Sequence, residues 1–194
     1  MDAARYRWSS LWRRALLCLC SGVYRIYCFQ KLAVTVEGVD FADPARAGEP
    51  GVRERGVRLE LRGLSESAEA GSIYSSRAAW LSRGICRFDL LESAPHAADR
   101  IHWHPEMSDG EPGERVFDPD LSADPIGWLA RALGDPTPLL RRAGLDPEEH
   151  ARDVTAMAAA AGEISETAAK ILAEARRPWP EVTRDERGLA QINI

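Results

Sequence analysis

The chain has 194 residues, of which 45% are hydrophobic and 28% are charged, and its formal net charge at pH 7 is −5. This length suits one domain with a sizeable core, and the negative charge argues against a general nucleic-acid binder. No Cys-x-x-Cys pair occurs, which excludes a zinc knuckle or a thioredoxin-like centre. After residue 30 the sequence contains a single cysteine, Cys86, so we predict a reducing compartment and a cytoplasmic protein.

The first 30 residues have a different composition, because they contain five arginines and one acidic residue. We interpret residues 1–30 as a basic amphipathic segment, either an extension outside the functional domain or an ordinary packed helix. Two alternatives remain open: an interfacial helix in weak contact with a membrane surface, and a secretory signal. No apolar run is long enough to cross a bilayer. Apolar side chains recur at helical spacing at Trp8, Leu11, Trp12, Ala15, Leu16, Leu19, Val23, Ile26 and Tyr27.

Alternation of apolar and polar residues begins at Lys31 and is typical of strands. It predicts strands over residues 31–37 and 57–62, and a weaker signal suggests a third over 73–81. Two further runs between Ile85 and Pro105 predict the fourth and fifth strands, joined by a turn. The polar stretch from Met107 to Ser122 has neither the alternation of a strand nor the apolar spacing of a helix, and we predict a long loop there.

The C-terminal third has helical periodicity. Asp124 and Asp146 each precede a proline, which predicts two helix starts capped by these aspartates, and Glu149 completes a near capping box. A short helical turn over 139–143 and a last helix ending before Pro178 follow from the apolar spacing. We therefore predict an α+β fold, an antiparallel meander of four to five strands with three to four helices packed on it. Residues 31–178 would form one domain, and residues 179–194 a tail.

The strands around Ile85–Pro105 carry the candidate site. His102 and His104 point to one side of their strand, because side chains alternate, and their spacing suits two ligands of one metal ion. His96 in the turn and Asp89 on the neighbouring strand would complete a site for a divalent metal such as zinc, iron or manganese. Glu106 or Asp109 in the following loop could add a carboxylate.

Two other interpretations of these residues remain open. The histidines could lie on a solvated strand face, with Arg87 and Arg100 paired to Asp89 or Asp99 and no cofactor bound. Alternatively, a histidine could act as an acid or base without metal. Arg87 and Arg100 are also candidate ligand-binding residues, since a groove holding both could take a phosphate. Cys86 lies on the apolar side of its strand, which indicates a packing residue, and His150 is predicted at the surface.

Two resemblances involve these residues. The His-x-His at 102–104 is similar to the first cupin motif, which would imply a metal site. The chain departs from that motif, because position 96 is His instead of Gly, and Ser108 and Asp109 stand where the motif has a glutamate. A stretch of about twenty residues, with Arg-x-Asp, Pro-His and His-x-His in order, resembles the hairpin of TumE-type toxins of toxin–antitoxin pairs. That resemblance implies an RNA-directed toxin with Asp89, His96, His102 and His104 near its site.

Two classes of function follow from the sequence. The first is a non-enzymatic binding or accessory module that contacts a protein partner through the sheet face and the loop over 107–122. The alternative is a metal- or histidine-dependent hydrolase with its site on the hairpin that carries Asp89, His96, His102 and His104. A fold that brings Asp89, His102 and His104 together favours the second class.

Overall fold

The computed structural model describes residues 24–42, 52–67, 78–184, 186–187 and 190–192 of the chain. Five antiparallel strands form the main sheet, and their order across the sheet is their order along the chain. This confirms the predicted α+β meander followed by helices. The strands are β1 (Tyr24–Cys28), β2 (Leu32–Ala42), β3 (Arg53–Glu66), β4 (Ala79–Glu92) and β5 (Arg100–His104).

One face of this sheet is apolar and forms the core with the helices. Its side chains alternate along each strand with polar residues on the opposite face, as strand geometry requires. The buried apolar side chains contributed by the strands are Leu32, Val34, Val36, Val57, Leu59, Leu61, Cys86, Phe88, Leu90, Ile101 and Trp103. The polar face carries two rows of paired residues, Glu37–Arg58–Asp89–His102 and Thr35–Glu60–Arg87–His104.

Four helices follow the sheet: α1 (Pro119–Ala123), α2 (Pro125–Gly134), α3 (Thr137–Arg142) and α4 (Ala151–Ala175). The start of α2 is as predicted, because the Asp124 carboxylate accepts a hydrogen bond of 2.9 Å from the Gly127 N–H. Buried residues of α2 and α4, such as Leu129, Met157 and Ile164, complete the core. None of the helices in the described part of the chain is long and apolar enough to cross a membrane.

An aspartate of α4 anchors the turn between β1 and β2. One carboxylate oxygen of Asp153 accepts the backbone N–H groups of Gln30, Lys31 and Leu32 at 2.8, 2.8 and 3.0 Å. Asp153 is 1% exposed, so these three donors are its main compensation for leaving water. The first hairpin and the longest helix are thereby fixed to each other.

Several predicted elements differ from the structure. Residues 24–28 form the edge strand β1, so the helix predicted through Ile26 and Tyr27 is wrong there; residues 1–23 lie outside the described residues. The predicted third and fourth strands are one strand from Ala79 onward, and residues 73–77 are not described. The helix predicted to begin at Pro147 and the last predicted helix are one continuous helix, α4, because its packing against the sheet outweighs the cost of the exposed Gly162.

The second predicted N-cap is also misplaced. Asp146 accepts the Glu148 N–H at 2.9 Å and closes a turn, but α4 begins only at Ala151, after His150. The segment predicted as a tail contains a small hairpin, β8 (Val182–Arg184) and β9 (Ala190–Ile192). The predicted long loop holds two short strands, β6 (Met107–Ser108) and β7 (Glu111–Pro112), and the start of α1.

Candidate functional site

Strands β4 and β5 bring the predicted site residues together. Their antiparallel register places Asp89 opposite His102 and Arg87 opposite His104, on the sheet face that points away from the helices. Because strand neighbours alternate, the intervening Phe88 and Trp103 face the core, where their rings stack at 5.7 Å. The apolar and polar sides predicted for these two strands are thus the observed ones.

Three side-chain atoms converge on one point. The Nε2 atoms of His102 and His104 lie 3.1 Å apart, and each lies 3.6 Å from Oδ2 of Asp89. A triangle with these sides has a centre about 2.0 Å from every corner, which matches the bond lengths of zinc to imidazole nitrogen and carboxylate oxygen. Among the described residues, this is the one group of three or more His, Cys, Asp or Glu side chains so arranged.

The backbone sets the orientation of both imidazole rings. Nδ1 of His102 lies 2.8 Å from the Arg100 carbonyl oxygen, and Nδ1 of His104 lies 2.8 Å from the Gly113 carbonyl oxygen. A carbonyl only accepts, so each Nδ1 must carry the proton and donate it. In the neutral rings, Nε2 then presents a lone pair to the shared point. Metal-binding histidines are held in the same way, by a hydrogen bond from the other ring nitrogen.

Two arginines compensate the charge of Asp89, whose side chain is fully buried. Nε of Arg58 donates to Oδ1 at 2.7 Å, while Nε and Nη2 of Arg87 lie 2.8 and 2.7 Å from Oδ2. Burial alone would raise the pKa of the Asp89 carboxyl, but the two guanidinium groups outweigh burial and hold this pKa below its ordinary value. Asp89 is therefore an anion at neutral pH.

The imidazole of His104 is kept from protonation. Burial lowers its pKa, and the nearby charge of Arg87 lowers it further, although the hydrogen bond to the Gly113 carbonyl acts in the opposite direction. The ring is consequently a neutral nitrogen donor at pH 7, which is the form that a metal ion requires.

A chain segment that we call the strap, residues 105–117, covers this part of the polar face. The Asp109–Gly110 turn has positive φ at both residues, as a tight hairpin requires, and joins β6 to β7. Met107 lies against Gly84 of β4, where an added Cβ would come within 2.5 Å of the Met107 sulfur. The ring of Phe117, farther along the strap, lies 5.5 Å from that of His102.

The strap turns an exposed strand face into a buried site. His102 is 6% exposed, His104 is 2% exposed and Asp89 is 0% exposed. The interpretation as surface histidines on a solvated face is therefore wrong. Of the ion pairs expected with it, Arg87 does bind Asp89, and Arg100 lies 3.9 Å from Asp99 but also bonds to Glu54.

Not every predicted ligand reaches the cluster. His96 is exposed in the β4–β5 turn with φ of 65°, and its backbone N–H donates to the buried Glu92 carboxylate. The turn directs His96 away because its backbone reverses there to join the two strands. Glu106 and Asp109 are exposed and also lie outside the three-residue group. Of the two predicted ligand-binding arginines, only Arg87 contacts the cluster directly.

Sequence reasoning missed three contributors. Arg58 comes from β3, 31 residues before Asp89, and nothing local in the sequence links the two. The Gly113 carbonyl and the Phe117 ring come from the strap, a segment for which the sequence predicts a long loop. The Asp109–Gly110 dipeptide was a signal for this hairpin, since Asp-Gly favours the turn that closes two-residue hairpin loops.

Two other predictions concerned single residues. Cys86 is fully buried, as predicted for a packing residue, and burial raises the pKa of its thiol to about 12. His150, predicted at the surface, has a side chain only 14% exposed and lies 3.7 Å from the Asp153 carboxylate. The prediction for His150 is wrong because the turn over 147–150 folds against the start of α4.

The fold and the cluster define an α+β protein with a buried two-histidine, one-carboxylate group on the polar face of its sheet. Comparisons of the chain with protein-family models, with curated proteins and with solved structures found no match.

Proposed function

We propose that this protein binds one divalent transition-metal ion through Asp89, His102 and His104, and that it is a metal-dependent hydrolase. The observation that carries the proposal is the convergence of three electron-pair donors on a point about 2.0 Å from each. Without a cation, the two Nε2 lone pairs would face each other at 3.1 Å, which is unfavourable unless a proton lies between them.

The donor set favours particular metals. Two imidazole nitrogens with one carboxylate oxygen suit zinc, iron(II) or manganese, whereas calcium and magnesium prefer oxygen ligands. Arg58 contacts Oδ1 of Asp89, and both Nε and Nη2 of Arg87 contact Oδ2, so the ion would share Oδ2 with the Arg87 guanidinium. Arg58 and Arg87 would then hold Asp89 in place while it serves as a ligand.

Three protein ligands leave coordination positions for water and substrate, as in catalytic zinc sites. A bound ion of this kind supplies an activated water at neutral pH and polarises the bond to be hydrolysed. The strap shields the ligands from bulk solvent, and the backbone carbonyls of Arg100 and Gly113 fix both imidazole tautomers. For the same site we propose RNA as a narrower substrate class, as the resemblance to TumE-type toxins implies.

A second candidate function is a binding module in which the ion is structural. The near-complete burial of all three ligands favours it, since a closed site stabilises a fold without reaching a substrate. In that case the exposed Phe117 beside the cluster, 62% exposed, would belong to a surface for a protein partner. In this second candidate function the metal ion is bound, but the protein catalyses no reaction.

The deciding experiment measures metal content and hydrolysis in the same preparations. The purified protein is loaded with zinc or manganese, dialysed and analysed by elemental analysis, beside a His102→Ala, His104→Ala double variant. We expect one ion per chain in the parent and less than a tenth of that in the double variant. His96→Ala is the matched control, because it removes an exposed histidine of the same hairpin and should leave metal content unchanged.

Hydrolysis is then followed with bis(p-nitrophenyl) phosphate and with a single-stranded RNA. Metal-dependent turnover that disappears in the double variant supports the hydrolase. Stoichiometric metal without turnover on either substrate supports the structural ion and overturns the hydrolase. If the parent holds no metal after loading with either ion, both functions are wrong.

A further inference from the structure

A second site lies on the opposite face of the sheet from Asp89, between α4 and strands β1–β3. It is a half-open cavity of about 430 Å³, within the size range of small-molecule sites. Its floor includes Gly38 of β2, where an added Cβ would lie 3.4 Å from a methyl group of Ile171. The absent side chain at Gly38 lets α4 approach β2 closely at this point, and Ile171 and Ala175 give the adjoining cavity apolar walls.

The lining of the cavity has an excess of positive charge. Arg25 of β1 and Lys170 of α4 both line it. Lys170 pairs with Glu166 at 2.7 Å, but both side chains are well over half exposed, so this pair is weak and easily rearranged. Among the described residues, Arg25 has no ion-pair partner, and it therefore presents an uncompensated cation to the cavity.

The other charged groups of the lining reinforce this excess. Asp40 is matched by two arginines, since Arg53 binds it through two nitrogens at 2.8 Å each and Arg55 lies at 3.1 Å. Glu174 is matched by Arg177 at 3.0 Å. The cavity and its immediate ion pairs therefore hold five cations and three anions, so the local field favours a negatively charged ligand.

We propose that this cavity binds a small amphiphilic anion, with an apolar body against Ile171 and Ala175 and a carboxylate at Arg25 and Lys170. An apolar pocket with a few convergent polar groups is the usual form of a small-molecule site. A carboxylate would gain charge-assisted hydrogen bonds from Arg25 without breaking an existing pair. Residues 1–23 are the less suitable occupant, because their arginines would meet Arg25 and Lys170.

The test uses the full chain and naphthalene-2-carboxylate as probe, with neutral 2-naphthylmethanol as the matched uncharged compound. Binding is followed by titration in amide NMR spectra. We expect saturable binding of the carboxylate with shifts at Gly38, Thr167 and Ile171, and an affinity at least tenfold higher than that of the alcohol. Arg25→Gln should remove most of this difference, whereas Arg131→Gln, an exposed arginine of α2, should not.

Gly38→Val fills the cavity and should abolish binding, while Gly162→Ala on the solvent side of α4 should leave it intact. Each variant's amide spectrum shows whether it is folded. The proposal is overturned by no saturable binding of the carboxylate, by equal affinity for the alcohol, or by full affinity in a folded Gly38→Val. It is also overturned if the free protein shows nuclear Overhauser contacts between Ile171 and residues 1–23, because the chain's own head would then fill the cavity.

Discussion

Replacing Asp89 by asparagine tests whether the charge at the centre of the site is required. The substitution keeps shape and size but removes the anion that Arg58 and Arg87 share at 2.7–2.8 Å. Breaking a buried ion pair by removing one partner costs about 3–5 kcal/mol, because the remaining charge is left uncompensated. The two arginine side chains are 25% and 16% exposed, so water offsets part of this cost, and we expect a loss of about 2–4 kcal/mol.

The assay is urea unfolding followed by circular dichroism at pH 7 in the presence of EDTA, which separates the ion-pair effect from metal binding. Asp99→Asn is the matched control: it lies in the adjoining turn, is 44% exposed, and should cost less than about 1 kcal/mol. A loss below about 1 kcal/mol for Asp89→Asn would show that the arginines do not depend on this carboxylate, and would refute the reasoning.

The stabilisation that Asp89→Asn removes should also depend on pH. Because the folded-state pKa of Asp89 lies below its ordinary value of 3.8, its stabilisation is present above that value and is lost as the pH falls through the folded-state pKa. The difference in unfolding free energy between parent and Asp89→Asn should therefore be constant from pH 5 to 7 and shrink below about pH 4. A difference that grows in acid would contradict the assignment of Asp89 as an anion.

Three further predictions concern the stabilisation by bound zinc, the contacts of Asp153 with the turn between β1 and β2, and the reactivity of the cysteine thiols. Zinc at one hundred times its dissociation constant should raise the unfolding free energy by about 2.7 kcal/mol and the melting temperature by about 5–10 °C, measured by scanning fluorimetry. His102→Ala should abolish this shift. Asp153→Ala should lower the unfolding free energy by about 2–4 kcal/mol in urea, because three backbone donors lose their acceptor, and Asp153→Asn should cost about half as much. Iodoacetamide at pH 8 should alkylate the exposed Cys28 and leave the buried Cys86 unmodified in peptide mass maps, since its thiol pKa is about 12.

Each of these has a contradicting result. A zinc shift of equal size in His102→Ala would place the metal elsewhere. Equal costs for the two Asp153 variants would mean that a neutral amide oxygen cannot replace the carboxylate as the shared acceptor, so that the charge carries the whole contribution. Rapid alkylation of Cys86 in the folded protein would show that the sheet opens far more often than a core strand should.

The polar cluster also illustrates how the site depends on the strap. The hydrogen bond to the Gly113 carbonyl fixes the tautomer of the His104 ring. The strap itself is held to β5 by the paired backbone hydrogen bonds between Trp103 and Val116, at 3.1 and 2.8 Å. The core and the site therefore share one strand, with Trp103 facing inward and its neighbours facing the cluster. A substitution that loosens the strap would change the orientation of His104 before it changes the fold.

The sequence by itself determined the faces of the strands and the start of α2. Alternation is a local property of an extended chain. His102 and His104 therefore had to lie on the same side of β5, and Phe88 had to lie on the side of β4 opposite to its sequence neighbours. The Asp124 cap likewise depends on contacts within three residues. The edge strand β1 was missed because Ile26 and Tyr27 also continue a helical stripe, and only pairing with β2 decides between the two.

Only the tertiary structure decided which residues share the site. The register that sets Asp89 opposite His102, and the turn that removes His96, follow from how β4 and β5 pair across several residues. Arg58 enters through the neighbouring strand, and burial of the whole group depends on the strap folding back. Charge and side-chain type are written in the sequence, but distances between remote residues arise from packing, which has no local signature.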